Sequence, residues 1–367
     1  MISHDEIARR RLASQLVARP LEGDPAEVVR HMGAVQAQDY LGALWAVGAR
    51  AAGATELAVR RALDEGHIVR TWPMRGTIHL VAPADARWML ALLAPRAAQR
   101  SQGRLRQLGL DAGDVAAAER AVVAALEGGR QLTRQALLAQ LEAAGIATGG
   151  QRGYHLLWQL AHAGIICFGA HQGKQPTFAL LDEWVPPTPA PSRDEALASL
   201  ALRYFTSRGP ATLQDFCWWS GLTVADARAG LGAVESQLSI ARLDGQSYYF
   251  DEAAAAPAEG RGRVYLLPPF DEFLIAYRDR AASISPDDMG KVAPGGNGIF
   301  NPIVVRDGRV IGLWRRTLRA SRVELSFSPF AAWGEGEAGA AAAEAERYGR
   351  FLGLPAQLVA SHNEAAA

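Results

Sequence analysis

Cysteine is scarce here: Cys167 and Cys217 are the only two in 367 residues. Two isolated thiols make neither a disulfide framework nor a cysteine-based zinc site, and both are expected to be core thiols in a reducing compartment. Net charge is also absent, since 38 Lys+Arg balance 38 Asp+Glu, and no global field announces a polyanionic partner. Long apolar runs are missing too. None approaches the roughly 20 residues of a membrane span, so no membrane partner is expected. The first residues, Met1-Ile2-Ser3-His4-Asp5-Glu6, are polar and lack the apolar core of a signal peptide. There is no metal-ligand cluster and no glycine-rich phosphate loop between strand and helix, so neither a metal nor an organic cofactor is expected. What remains is a cytoplasmic protein in which 49% apolar residues provide ample core.

The chain exceeds one ordinary domain, and several units are expected. Ser3 and Glu6 form a capping box for a first helix carrying Ile7, Leu12 and Leu16. Asp24-Pro25 opens a second helix and Asp39 caps a third, with Leu41, Leu44, Trp45 and Val47 at helical spacing. A further helix starts near Thr55 and stops near Gly66. The period then changes, and 68–81 reads as two short strands around a tight turn. Helices followed by a hairpin give the order of a winged helix-turn-helix.

That order recurs. After a helical region at about 84–107, helices capped by Thr133 and spanning Tyr154 to Leu160 precede a hairpin at 165–181, with a polar tip at 169–176. A proline-rich linker follows. A third copy begins at Ser192 and ends in a hairpin turning at Asp244-Gly245. Beyond an alanine-rich break at 251–260, four segments alternate like strands, with a turn at Asp307-Gly308, before a final Ala/Glu-rich helix and a frayed tail. The expected fold is α+β: three tandem winged helix-turn-helix units, then a small mostly β C-terminal domain. The expected divisions are 1–110, holding the first winged helix and the long helical region, 111–190, 191–255 and 256–360.

Charge is unevenly spread although it sums to zero. Residues 60–110 hold nine arginines against Asp64, Glu65 and Asp85, and a second arginine cluster lies at 306–322. Basic faces on a neutral protein fit a phosphate-binding groove or an ordinary solvated surface. Between the helices, Gly33-Ala34-Val35-Gln36-Ala37-Gln38-Asp39 places two amides two residues apart. In an extended linker they point the same way, able to hold a water or polar ligand, or merely to bond local backbone.

The stretches Gln36-Ala37-Gln38-Asp39, 70–80 (Arg-Thr-Trp-Pro-Met-Arg-Gly-Thr-Ile-His-Leu), 266–272 (Leu-Leu-Pro-Pro-Phe-Asp-Glu), 298–302 and 312–316 together resemble the AlkZ-like family of winged-helix DNA glycosylases, related to YcaQ. The resemblance spans roughly residues 5–355. It implies removal of alkylated bases from double-stranded DNA, of the N7-alkylguanine or N3-alkyladenine type, and in some members unhooking of interstrand cross-links. The family's Gln–apolar–Gln signature maps onto Gln36 and Gln38. Such a base is cationic and leaves neutral, so a strong general acid is unnecessary, and a positioned water at C1′ is what helps. An amide has no useful pKa, so the pair is expected to hold that water through hydrogen bonds, with Asp39 either a helix cap or a fallback base.

The other candidates carry two readings each. Arg70 and Arg75 reach phosphates beside the lesion or stay structural. Trp72 wedges a base step or packs beneath the wing. Thr77 and His79 belong to the same hairpin, His79 either in the site or a satisfied structural histidine. Arg96, Arg100 and Arg104 share a helix face that tracks phosphates or is simply solvated. Asn301 reaches DNA or makes a turn, and Arg315 touches DNA or balances the acidic final helix. A monomer associated with the nucleoid is expected. A non-catalytic winged-helix regulator is the rival function, because fold alone favours it.

Overall fold

Capping side chains start the helices, at Ser3, Asp24, Asp39, Thr55 and Thr133 where the sequence suggests. Ser3, Asp24, Asp39, Thr55, Thr133, Thr212 and Thr223 each accept a backbone N–H of the turn that follows. The computed structural model describes residues 2–258, 260–296 and 298–360; the expected tail, from 361 onward, lies outside them. The first part runs α1 (His4–Ser14), α2 (Pro25–Met32), β1 (Ala34–Gln36), α3 (Tyr40–Gly48), α4 (Glu56–Asp64), β2 (Val69–Met74), β3 (Thr77–Val81) and the long α5 (Pro83–Gln107). Next come α6 (Ala112–Leu126), β4 (Leu132–Thr133), α7 (Arg134–Ala143), α8 (Arg152–His162), β5 (Ile166–Gln172), β6 (Gln175–Leu180) and α9 (Leu181–Trp184). Then follow α10 (Arg193–Arg208), α11 (Leu213–Ser220), α12 (Val224–Val234), β7 (Ser239–Leu243) and β8 (Gln246–Phe250). The last part holds β9 (Val264–Leu267), α13 (Glu272–Ile275), α14 (Pro286–Val292), β10 (Ile303–Arg306), β11 (Arg309–Leu318), β12 (Val323–Pro329), α15 (Glu335–Leu352) and β13 (Ala356–Leu358). The architecture is mixed α/β.

Strand pairing joins what the sequence shows as separate hairpins. One sheet has the order β1-β3-β2-β5-β6-β4, so the first two hairpins share it, meeting where Arg70 pairs with Phe168. Aromatic packing seals the junction: Trp72 stacks on Phe168 at 4.6 Å, and the Arg70 guanidinium lies 4.3 Å from the same ring. The hairpin at β5 and β6 is longer than the expected polar tip allows. Its strands continue to Gln172 and from Gln175, because a bulge between Phe168 and His171 is absorbed by Gln131, whose Oε1 accepts from Ala170 N at 2.8 Å.

The last part forms a sheet of order β13-β12-β11-β10-β9, with the Asp307-Gly308 turn between β10 and β11. The short helices α13 and α14 and the parallel strand β13 were not foreseen in the sequence. Apolar cores bind distant segments. Val29, Met32 and Trp45 pack with Leu266, Trp314, Tyr348 and Phe351, while Met89 and Leu90 of α5 pack with Tyr204, Phe205, Phe216 and Trp219. Indole N–H groups pin this packing: Trp45 donates to Leu266 O at 2.7 Å and Trp314 to Leu267 O at 2.8 Å. Residues 264–277 are thereby held against the segment that carries the two glutamines. Among the described residues no helix is long and apolar enough to cross a membrane.

Candidate active site

Gly33 ends α2 with a positive φ of 69°, a conformation glycine adopts without strain, and turns the chain into β1. The strand pairs antiparallel with β3, setting Gln36 opposite His79 and Val35 opposite Leu80. Ala37 extends the ladder by donating to Ile78 O at 2.8 Å. Gln36, the last residue of β1, and Gln38, in the bend that follows, thus stand two apart beside the turn between β2 and β3. Gln36 Oε1 accepts from Arg75 Nη2 at 3.4 Å, and Gln38 Oε1 accepts from Ile78 N at 3.2 Å. Each carbonyl oxygen has a second lone pair beyond these contacts. Gln36 is half-buried and Gln38 exposed.

The neighbouring hairpin residues fall into two groups. Arg75 and Thr77 are half-buried at the turn, Arg75 with φ 55°. Arg70, Trp72 and His79 are buried. Arg70 donates to Ala37 O at 3.0 Å, bracing the residue between the glutamines, and burial lowers its pKa to about 10. The His79 Nδ1 lies 3.0 Å from Thr77 O, so the proton belongs there and Nε2 is a bare acceptor, without a hydrogen-bond partner among the described residues. Burial, with the Arg75 charge next in weight, pushes its pKa down to about 3. His79 is therefore a neutral imidazole.

Beside Arg75 opens a groove of about 250 Å³ whose lining includes Arg96, Arg100, Ser101, Trp158 and Gly221. Arg96 and Arg100 are exposed. Arg104, one turn further on, is bonded instead to Gln151 and Gln107 and does not line the groove. Asn301 donates through Nδ2 to Lys291 O at 3.1 Å and through its backbone to Val292 O at 2.8 Å, a local turn. Arg315 is exposed on β11. The structure thus gathers Gln36, Gln38, Arg70, Arg75, Thr77 and His79 and sets Arg96 and Arg100 beside them; Arg104 and Asn301 bond to other partners. Asp39 caps α3 through Gly42 N, and Arg316 lies 3.9 Å from it.

Sequence reasoning overlooked Glu272. Its Oε1 accepts from Gln36 N at 3.0 Å, while Oε2 accepts from Arg208 at 3.0 and 2.8 Å and from Trp219 Nε1 at 3.0 Å. Burial works to raise its pKa, but the Arg208 charge and hydrogen bonds, aided by Arg75, hold it below the ordinary carboxylate value. Asp271 next to it is paired with Arg50 through two bonds of 2.9 and 2.8 Å. The available signal was two consecutive acids inside the apolar run 264–277. Among the described residues no group of three or more His, Cys, Asp or Glu side chains is placed to hold a metal ion.

Residues 29–351 match the sequence model of a family described as DNA glycosylase AlkZ-like. With this fold, the match defines the class: a DNA glycosylase, a hydrolase acting on N-glycosyl bonds. The chain belongs to the AlkZ-like family. It is 27% identical over 323 residues to an interstrand DNA cross-link repair glycosylase of Streptomyces sahachiroi, covering 83% of this chain and 85% of that protein. The solved structure of Streptomyces sahachiroi DNA glycosylase AlkZ is similar with a TM-score of 0.79 at 25% identity, covering 98% of this chain and 100% of the other.

Proposed function

We propose that this glycosylase hydrolyses the N-glycosidic bond of alkylated purines in double-stranded DNA, of the N7-alkylguanine or N3-alkyladenine type, with Gln36 and Gln38 holding the attacking water. The observation that carries this reading is the pair of amide oxygens fixed beside one hairpin turn, next to an arginine-lined groove. Alkylation has already made the base a good leaving group. The remaining task is to hold water against C1′ as positive charge grows on the sugar, and a carbonyl oxygen does this without titrating. His79, neutral and buried, takes no proton, and Asp39 acts as a cap.

The three helix-and-hairpin segments before residue 251 are read as winged helices, followed by a β domain, with units at 1–110, 111–190, 191–255 and 256–360. Arg75, Arg96 and Arg100 hold backbone phosphates beside the lesion, with Arg104, Asn301 and Arg315 as outer contacts. Thr77 borders the site at the turn. Arg70 and Trp72 act from beneath, by holding Ala37 and the sheet junction. The name of the Streptomyces relative supports unhooking of interstrand cross-links as a further activity of the same site. The protein works as a monomer at the nucleoid, one lesion needing one site.

The test is release of base from a duplex carrying one N7-methylguanine, read as alkali cleavage at the abasic site, and from a duplex cross-linked through N7 positions. Release above the spontaneous rate on the methylated duplex is expected. Release on neither duplex, together with tight binding to one undamaged sequence, would replace this reading with the regulator.

A further inference from the structure

We propose that the buried Arg208–Glu272 pair positions Gln36, by standing in for an absent strand along the outer edge of β1. The proposal rests on the reading of Gln36 as a water-holding residue. β1 is the end strand of its sheet, with β3 on its inner side. Ala37 N–H points to β3, so by strand alternation the N–H and C=O groups of Ala34 and Gln36 point the other way. There Arg208 donates from Nη1 to Met32 O and from Nη2 to Ala34 O, both at 2.6 Å, and Glu272 Oε1 receives Gln36 N–H at 3.0 Å. One ion pair thus engages Ala34 and Gln36, the outward-facing residues of β1, as a neighbouring strand would, and Arg208 also holds Met32, the last residue of α2.

Stability alone does not account for charge at this place. The two side chains are 0% and 1% exposed, and a buried pair gains little over apolar packing once desolvation is counted. What the pair supplies is a fixed reference. Tyr277 OH donates to Arg208 O at 2.7 Å, Gln15 Nε2 donates to Tyr277 OH at 2.9 Å, and Arg50 Nη2 donates to Gln15 Oε1 at 3.0 Å while also holding Asp271. Asp271 caps α13, whose first residue is Glu272. The main chain of Gln36 is therefore tied through a closed buried network to α10, α13 and the residues that follow α1 and α3. Its side-chain direction follows from its main chain, and displacement of a catalytic group by about 1 Å is enough to cost about 100-fold in rate.

Glu272→Gln is the discriminating variant. An amide can present its oxygen to Gln36 N–H or to Arg208 and Trp219, and in both orientations its NH2 opposes a donor. Single-turnover base release from the N7-methylguanine duplex is expected to fall by about tenfold or more, with duplex Kd within about twofold of wild type. Trp219→Phe removes one donor to Glu272 and keeps both charges; a loss of about threefold in the same rate, again at unchanged Kd, is expected. Thermal unfolding shows whether each protein is folded at the assay temperature. Glu272→Gln at the wild-type rate, or rate and affinity falling by the same factor, overturns the proposal. Should that variant fail to fold, Trp219→Phe decides, and the wild-type rate there overturns it as well. Gln36→Ala runs alongside: a wild-type rate in that protein refutes the water-holding reading instead.

Discussion

Replacing Asp271 with Asn isolates the charge of a buried ion pair, because asparagine also caps helices well and keeps the contact to Phe273 N. Arg50 and Asp271 are 0% and 1% exposed and joined by two hydrogen bonds. At an effective dielectric of about 20 and a charge separation of about 4 Å, their attraction is about 4 kcal/mol. The desolvation of both ions offsets most of that, so the intact pair stands near balance. Half of the pair does not. Asp271→Asn leaves the Arg50 guanidinium buried against a neutral amide, and a loss of about 3–5 kcal/mol is expected. Arg50→Met should cost a similar amount, whereas the double variant should cost less than the sum, giving a coupling energy of at least about 2 kcal/mol. Urea unfolding followed by circular dichroism, with linear extrapolation, measures all four proteins. Two single variants that each cost under about 1 kcal/mol and add would refute the account of this network.

Three further outcomes are expected. His79 and His162 have pKa values pushed down to about 3 and about 4 by burial, from 6.5 when free. The unfolded chain therefore binds their protons first, and stability, complete above pH 6.5, falls as pH drops toward 4, by up to about 1.4 kcal/mol per pH unit for each histidine; His79→Gln should flatten that slope in urea titrations at pH 7 and pH 5. Gly308→Ala should lower the unfolding midpoint clearly more than Gly245→Ala. Both glycines have positive φ, but a Cβ at 308 would lie 2.6 Å from the Ala8 carbonyl carbon while one at 245 meets open space, so equal shifts would contradict the packing described. Arg96→Ala and Arg100→Ala should each weaken duplex binding uniformly across sequences and reduce the salt slope by about one; unchanged slopes in a fluorescence anisotropy titration would remove these residues from the phosphate track.

Local chemistry made much of the fold legible. Caps such as Asp24, Asp39 and Thr133 bond backbone within their own first turn, and Asp307-Gly308 and Asp244-Gly245 need only the conformational freedom of a turn. The Gln36–Gln38 pair was legible as a candidate, two amides two residues apart between helix patterns, although β1 carries only Gln36, and Gln38 lies in the bend beyond it. Their support was not. Glu272 is 236 positions from Gln36, and nothing in a stretch of apolar sequence with two acids says which backbone N–H those acids will meet. The shared sheet was hidden for the same reason, since a single register pair, Arg70 with Phe168, joins two hairpins that each look complete. Hydrogen bonds over such separations are set by packing of the whole chain, as the contact of Trp45 with Leu266 shows.

The most direct test of the Gln36–Gln38 pair is a double-mutant cycle on single-turnover release of N7-methylguanine, using Gln36→Ala, Gln38→Ala and the combined variant at saturating enzyme. If the two amides hold one water together, each single change lowers the rate by about 100-fold, and the double variant is scarcely slower, because groups that act as a unit are non-additive. Independent, multiplying losses, or singles near the wild-type rate, would contradict that account.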